Sequence, residues 1–429
     1  MRHTRGFQGR IATAKHRTAA VLLVAVTLSA CNFDKLLTVT APSRVVPADL
    51  YQPANATIIV NGAVADFECA FGSYTLVGGM VGEEFHDASI QSQWWPLDKR
   101  TFTPTGSIYA TAGCQGGGVY IPLSTARWQA DNAVTVLGGW TDAQVPGRTS
   151  LLATASAFGG YSLVLMGEGM CSAAIDGGPE LTPAQLFKLA DDRFTAAIGF
   201  AQTAQNDSVL NLALIGRARA RLDLGKAAEA AADAQQVAPG FVWNANFGSD
   251  DPIRYNQVYL RNVRDQSATV DTFYRAVKFA GVPDPRVPVI FDPSRKAADG
   301  ELPLYYENKY TSVASPIPIA RYAEAQLIIA EAAGGQVAVN IINALHDRVG
   351  LPHFQSSDPA AIQQQIISER RAEFFLESQH LGDLIRYALP LRPAAGERYQ
   401  AQKGGTYGSQ LCFPLPDAER LNNPNITKG

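Results

Sequence analysis

The chain has 429 residues, of which 46% are hydrophobic and 17% charged, and its formal net charge is −3. This composition is typical of a globular protein with a sizeable core, and it excludes a largely disordered chain. The net negative charge excludes a nucleic-acid-binding protein that is held by an overall positive field.

The first thirty residues differ from the rest of the chain. Five cations and no acid precede Asp34, and the cations are Arg2, Arg5, Arg10, Lys15 and Arg17. The apolar run Ala19–Leu28 is too short to cross a bilayer as a helix, which needs about 20 residues. The pattern predicts an export signal over residues 1–30, and the remaining residues carry a net charge of −8.

Small residues stand directly before Cys31, as they do in the bacterial lipobox. That resemblance implies that the Cys31 thiol is diacylated and that Cys31 becomes the first residue of the mature protein. The alternative is an ordinary signal in which Cys31 is incidental. Residue 32 is Asn and not Asp, so the resemblance implies sorting to the outer membrane, with residues 31–50 as a lipid-anchored tether.

Four other cysteines remain, namely Cys69, Cys114, Cys171 and Cys412. An even number in an exported protein favours disulfides, and four cysteines allow three connectivities that the sequence does not separate. The alternative is that they are buried free thiols.

Helical spacing of apolar residues begins at Tyr120 and predicts a helical scaffold over about 120–240 and 319–390. Thr182 is a predicted N-cap, with Pro183 at the first helical position and Gln185 at the third. Two predicted helices over 208–224 and 227–237 form an αα-hairpin of tetratricopeptide type. Because one hairpin cannot bury its apolar face alone, further helices must stack on it, and the candidates are 319–333, 337–349 and 360–389. Segments 51–118 and 241–318 are predicted to be rich in loops.

Acids and arginines alternate near the end of the last predicted helix. The group comprises Glu369, Arg370, Arg371, Glu373, Glu377, Asp383 and Arg386. Paired carboxylates about 5 to 9.5 Å apart could serve glycoside hydrolysis, which also requires one raised pKa. Neighbouring arginines favour the ionised carboxylate, so the group predicts ion pairs that tie helices together and no catalytic residue.

Aromatic side chains are the candidate ligand contacts. Flat rings can cover the C–H faces of sugars while polar groups bond the hydroxyls. Trp94 and Trp95 form the best group because adjacent aromatics cannot easily face one core. Tyr109, Tyr305 and Tyr306 are further candidates. Two tryptophans on or beside a predicted helix, Trp128 and Trp140, are expected to be buried.

An acidic cluster with one histidine occupies residues 83–87, sequence EEFHD. Its spacing fits neither an EF-hand loop nor an HExxH helix. No phosphate-binding glycine loop and no nucleophile elbow occur in the sequence. The sequence therefore predicts no metal site and no cofactor.

The C-terminal third resembles the SusD/RagB family of outer-membrane nutrient-binding lipoproteins. The similar blocks are Arg321–Ala332, Ile342–Pro352, Glu369–Glu377, Asp383–Tyr387, Cys412–Pro416 and Asn423–Ile426. The resemblance implies an all-α, tetratricopeptide-like α/α superhelix with long irregular ligand-bearing loops and minor β structure. It implies one domain over 51–429, with the acid and arginine group as scaffold and segments 51–118 and 241–318 on the ligand face.

The same resemblance implies a function. Members are surface lipoproteins, not enzymes, that capture glycans or peptides and deliver them to a SusC-like TonB-dependent outer-membrane transporter. Which glycan or peptide this chain would bind stays open. The alternatives are an envelope helical-repeat scaffold lipoprotein without nutrient binding, and a secreted hydrolase that would use the scattered carboxylates.

Overall fold

Stacked helices make up most of the chain from Pro53 onward in the computed structural model, which describes residues 47–426. The predicted signal segment 1–30, the lipidation residue Cys31 and most of the tether lie outside the described residues. In the unit Met1–Gln52, the described residues Pro47–Leu50 form one turn of helix. The scaffold and the candidate site both lie within residues 53–426.

The helices of the second unit are, in chain order, α1 Ala56–Val81, α2 Trp95–Lys99, α3 Ile108–Thr111, α4 Tyr120–Gly138, α5 Arg148–Gly169, α6 Pro183–Ala204, α7 Asp207–Asp223, α8 Ala227–Ala234, α9 Gln257–Tyr259, α10 Tyr322–Ala333, α11 Gly335–Val349, α12 Pro359–Glu373, α13 His380–Arg386 and α14 Asp417–Asn422. A π-helical turn, Leu260–Arg264, continues α9. The predicted capping box of α6 is confirmed, since the Thr182 hydroxyl accepts from the Gln185 N–H and the Gln185 amide oxygen accepts from the Thr182 N–H.

Long helices pack on their neighbours in chain order. Helix α4 packs on α1 and α5, α6 on α5 and α7, and α8 on α7 and α10, after which α11 packs on α10. Stacking of each helical element on the next is the architecture of helical repeat proteins. The predicted all-α, tetratricopeptide-like fold is confirmed.

Segment 51–118 is not the loop-rich region that the sequence predicts, because α1 occupies 26 of its residues. Every residue of α1 from Ala70 to Val81 is buried. A helix that is buried all round shows no alternation of apolar and polar faces, so the spacing of its residues does not reveal it. The buried half of this helix belongs to the core of the scaffold.

The predicted helix over 360–389 is two helices. Helix α12 ends at Glu373 and α13 begins at His380. Between them Leu376 and Ser378 adopt left-handed backbone conformations, with φ of 57° and 69°. Glu377 therefore does not continue the helical face of Glu369 and Glu373, as the four-residue spacing predicts.

Aromatic rings fill space left by glycines where α5, α6 and α7 meet. The buried ring of Phe194 lies edge-on to Tyr161, with 5.0 Å between ring centroids. A Cβ atom built on Gly160 would lie 2.8 Å from the Phe194 ring, and one built on Gly216 would lie 2.3 Å from it.

Among the described helices only α5 is long and apolar enough to cross a membrane, and 83% of its most apolar stretch is buried inside the protein.

Short strands complete the fold. They are β1 Phe85–Asp87, β2 Ala173–Ala174, β3 Glu180–Leu181, β4 Val242–Ala245, β5 Ala268–Val270, β6 Lys278–Phe279, β7 Val282–Pro283, β8 Val289–Lys296, β9 Pro303–Glu307 and β10 Ile317–Arg321. In the described residues they form antiparallel pairs, β1 with β5, β2 with β3, β4 with β10, β6 with β7 and β8 with β9. Segment 241–318 is thus mainly strands and turns, with one short helix, α9, and its π-helical extension.

Of the three connectivities that four cysteines allow, the structure has Cys69 with Cys114 and Cys171 with Cys412. The first disulfide joins α1 to the turn before α4, and the second joins the end of α5 to the C-terminal segment. The second bond closes a loop of 241 residues. Cross-links of this kind stabilise mainly by restricting the unfolded chain.

Two buried carboxyls join the end of α1 to the C-terminal third. Glu84 accepts a hydrogen bond from the Leu376 N–H at 2.7 Å, and Glu83 accepts from the Arg392 N–H. Burial raises the pKa of Glu84 to about 8 and that of Glu83 to about 7. At neutral pH the folded protein therefore holds protons that the unfolded chain releases.

We expect the free energy of unfolding to fall as pH rises from about 5 to about 8.5, because both folded-state pKa values lie above the unfolded values. Glu84→Gln keeps an acceptor for Leu376 but cannot ionise, so this variant is expected to lose less stability over that range, by on the order of 4 kcal/mol. Urea denaturation of both proteins at the two pH values measures the difference. An equal loss of unfolding free energy in the wild type and in Glu84→Gln between the two pH values would contradict the prediction.

Candidate functional site

The two predicted tryptophans are held by the protein itself. Trp94 is 3% exposed, and the Arg261 guanidinium lies 4.5 Å from its ring centroid. Trp95 is half-buried and donates its indole N–H to the Ser89 carbonyl at 3.0 Å. Only one of the two adjacent rings, that of Trp94, packs fully inward, so Trp95 is the member of the pair that a ligand can reach. One ring is covered by a distant arginine, while its neighbour lies against the segment that follows β1.

Tyr109 is part of the core. It is fully buried, and its hydroxyl donates to the Pro414 carbonyl at 2.9 Å. Its ring lies 5.0 Å from that of Phe413 and 5.7 Å from that of Phe102. Tyr109 therefore fixes the C-terminal segment and is not a ligand contact, contrary to the sequence prediction.

The exposed aromatic surface lies on the β8 and β9 hairpin. Phe291 and Tyr305 are cross-strand partners, and their rings stack at 4.6 Å with 20° between the planes. The Arg275 guanidinium lies 4.0 Å from the Tyr305 centroid, and its Nε donates to the Val270 carbonyl at 2.9 Å. Phe291 is 47% exposed, whereas Tyr305 is half-buried. We call Phe291, Tyr305 and Arg275 the aromatic platform.

Tyr306, the neighbouring candidate, turns to the other side of β9. It is half-buried and packs on a small apolar cluster of Ala88, Ala297 and Leu304. Alternation along a strand places successive side chains on opposite faces. The structure therefore brings Tyr305, but not Tyr306, onto the aromatic platform.

The base of this hairpin is fixed to the acid and arginine group. Arg286, three residues before β8, donates to Glu369 at 2.7 Å and to Glu373 at 3.0 Å. Lys309, two residues after β9, donates to Glu377 at 2.6 Å. Both ends of the hairpin are thus anchored to the scaffold near the end of α12.

Further ion pairs join the scaffold elements to each other. Arg370 on α12 donates to Asp383 on α13 at 2.9 Å, and Arg386 donates to Asp383 at 3.2 Å and pairs with Glu331 on α10. Arg370 and Asp383 are both buried, and each compensates the charge of the other. These contacts link α10, α12 and α13.

Arg371 is the exception in the predicted ion-pair group. Among the described residues it forms no ion pair, and its guanidinium lies 4.0 Å from the ring centroid of Phe273. Burial lowers its pKa. Its role is cation–π packing, which sequence spacing does not distinguish from an ion pair.

Two carboxylates of this group, Glu373 and Asp383, are held in the ionised state. Burial alone would raise the pKa of Glu373, but Arg321 and Arg286 lower it below its ordinary value. Arg370 and Arg386 lower the pKa of Asp383 in the same way, against its burial. A general acid for glycoside hydrolysis needs the opposite shift.

The acidic and histidine segment 83–87 also turns inward. His86 donates toward two carboxylates, with Nε2 at 2.7 Å from Asp271 and Nδ1 at 3.4 Å from Asp98. Burial opposes the charged imidazole, but the two carboxylates raise the pKa of His86 to about 10. Within residues 47–426 no group of three or more His, Cys, Asp or Glu side chains is arranged to hold a metal ion.

Sequence reasoning missed Phe291, Arg275 and Trp128. Trp128 is 46% exposed, so the expectation that it is buried is wrong. A signal was present in the sequence, because the buried residues Ala126, Ala130 and Ala133 recur at three and four, and Trp128 falls outside that series. No comparable signal marks Phe291, whose strand lies in a segment without a clear period.

The fold is shared with solved structures. A SusD-like carbohydrate binding protein from Bacteroides vulgatus ATCC 8482 is 16% identical, with a TM-score of 0.67 over 87% of this chain and 97% of that one. Surface glycan-binding protein A from Bacteroides thetaiotaomicron, in complex with laminarihexaose, is 14% identical, with a TM-score of 0.66 over 87% and 98%. A SusD-like protein from Bacteroides fragilis NCTC 9343 is 12% identical, with a TM-score of 0.69 over 89% and 98%.

No curated protein matches the chain. The sequence model of the SusD family matches residues 180–428, which is more than half of the chain. This match confirms the resemblance seen in the C-terminal blocks. The chain therefore belongs to the SusD family.

Proposed function

We propose that this protein is a cell-surface lipoprotein that binds a glycan on the aromatic platform and delivers it to a SusC-like TonB-dependent transporter of the outer membrane. The observation that carries the proposal is a stacked pair of aromatic rings, of which Phe291 is exposed, on a hairpin outside the helical scaffold. Family membership supports it, as does the laminarihexaose bound to one protein of similar fold.

The chemistry of the aromatic platform suits a sugar ring. Phe291 offers a flat apolar face that is about half exposed, and Tyr305 behind it is held in place by Arg275. A rigid ring costs little conformational entropy on binding and can cover the C–H face of a sugar. Trp95, half-buried beside β1, is the second candidate contact.

The proposed activity is binding without catalysis. The ionised state of Glu373 and Asp383 supports this, because neither can donate a proton to a leaving group at neutral pH. The proposal includes no metal and no cofactor. A peptide ligand is the alternative that the family resemblance leaves open.

Anchoring through a lipid on Cys31 is part of the proposal. The basic segment, the apolar run and the small residues before Cys31 support it. Protease treatment of intact cells tests the location, and we expect the protein to be degraded. A protease-protected protein that copurifies with no transporter barrel and binds no ligand would favour the envelope scaffold.

Binding is expected to depend on Phe291. In isothermal titration calorimetry of the full chain with laminarihexaose, maltoheptaose and cellohexaose, we expect at least one oligosaccharide to bind. Phe291→Ala removes the exposed ring and should weaken that binding about tenfold, which corresponds to about 1.4 kcal/mol.

Ile58→Ala is the matched control, because Ile58 is 60% exposed but lies on α1, outside the platform. The affinity of Ile58→Ala for the oligosaccharide should equal that of the wild type. Equal affinities of the wild type and Phe291→Ala would remove the platform from the proposal. Binding of a peptide pool, with no oligosaccharide bound, would favour the peptide alternative.

A further inference from the structure

A second exposed aromatic lies on the helical scaffold. Trp128 on α4 is the most exposed of the five tryptophans, at 46%. Its ring borders an open cavity of about 310 Å³ between α4, the β2 and β3 turn, and α14. None of the elements that line this cavity belongs to the aromatic platform.

A buried arginine holds a carboxylate in place at the cavity beside this ring. Arg127 is 4% exposed and donates to both oxygens of Asp176, from Nη1 at 2.8 Å and from Nη2 at 2.6 Å. Its Nε has no hydrogen-bond partner in the part of the chain that the structure describes. That atom is closed off from solvent, so Arg127 acts here by fixing the carboxylate of Asp176 at the cavity.

Acceptors line the same cavity. Asp176 is held in a left-handed conformation, with φ of 51°, and its side chain is 56% exposed. Glu419 on α14 lies at the cavity and accepts from the Asn423 amide at 3.1 Å. The charge of Asp176 is compensated by Arg127, so the two carboxylates do not form a free cation site.

We propose that Trp128, Arg127, Asp176 and Glu419 form a second subsite for a neutral sugar ring of an oligosaccharide, separate from the aromatic platform. The inference rests on the proposed glycan-binding function. The indole covers one face of the ring, while the carboxylate oxygens of Asp176 and Glu419 accept hydrogen bonds from the hydroxyls. Sugar acids are disfavoured because two carboxylates line the cavity.

Oxidation of tryptophan by N-bromosuccinimide, read by peptide mass spectrometry on the full chain, tests this subsite. We expect a saturating pool of laminarihexaose, maltoheptaose and cellohexaose to slow oxidation of Trp128 at least fivefold. Trp140, which is half-buried and lies outside the cavity, is the internal control and should oxidise at an unchanged rate.

A variant separates this subsite from the aromatic platform. Trp128→Ala should weaken oligosaccharide binding at least fivefold with unchanged circular dichroism, and Trp128→Phe should retain most of the affinity. If oligosaccharide binds and is lost in Phe291→Ala, but Trp128 is unprotected, the second subsite is wrong and the proposed function stands. If no oligosaccharide binds and Trp128 is unprotected, both are wrong.

Discussion

Replacing Glu373 with alanine is expected to lower the free energy of unfolding by about 3 to 5 kcal/mol. Glu373 accepts from Arg286 at 3.0 Å and also pairs with Arg321, and both arginines are largely buried. Removing the carboxylate leaves two desolvated cations with fewer partners. The loss of stability is large because buried positive charge is left without a compensating carboxylate, which costs more than the loss of one contact.

Urea denaturation at neutral pH measures this effect. Asp192→Ala is the matched control, since it removes the carboxylate of the exposed pair with Lys188, in which the side chains are 53% and 56% exposed. Exposed pairs contribute little, so the control should unfold at the wild-type midpoint. A Glu373→Ala protein as stable as the control would show that the hairpin anchor contributes nothing to stability.

The second large effect is expected from Gly216→Ala, which should destabilise the protein by about 1 to 3 kcal/mol. The added Cβ would lie 2.3 Å from the Phe194 ring and 2.9 Å from the Tyr161 ring. Both rings are buried, so they cannot move into solvent to make room. Overpacking forces side chains off their preferred rotamers.

Gly199→Ala is the control for intrinsic helix propensity. Gly199 lies on α6, and a Cβ atom there would meet nothing within 4 Å. Alanine should therefore stabilise the helix at this position by about 0.5 to 1 kcal/mol. Thermal unfolding, followed by circular dichroism, compares the stability of Gly216→Ala with that of Gly199→Ala. Adding Phe194→Leu to Gly216→Ala should recover part of the loss, and no recovery would contradict the packing explanation.

The helical scaffold was predictable where helices have one apolar face. Helix α4 begins at Tyr120 and α6 begins after Thr182, as predicted, and α7 lies within one residue of the predicted 208–224, because their buried residues recur at three and four. Apolar spacing does not reveal α1, because its final twelve residues are all buried. Glycines and β-branched residues in that run further weaken the helical signal.

The sequence predicts that aromatic side chains form the candidate site, but it does not predict which aromatic side chains are exposed. Aromatic residues are visible in the sequence, whereas their exposure depends on distant chain segments. Trp94 is covered by Arg261, which lies more than 160 residues away, and Gly117 admits the far edge of its ring. Phe291 is exposed because nothing in the described structure covers its face of the hairpin beyond Tyr305.

The anchored hairpin has a consequence for how ligand preference can evolve. Arg286 and Lys309 fix its two ends to the scaffold, so a change of length at the tip, between β8 and β9, leaves both anchors in place. Extra length in such a loop costs little, about 0.6 kcal/mol for each doubling. If the proposed glycan binding on the aromatic platform is correct, a change in this segment would alter ligand preference while the scaffold stays the same.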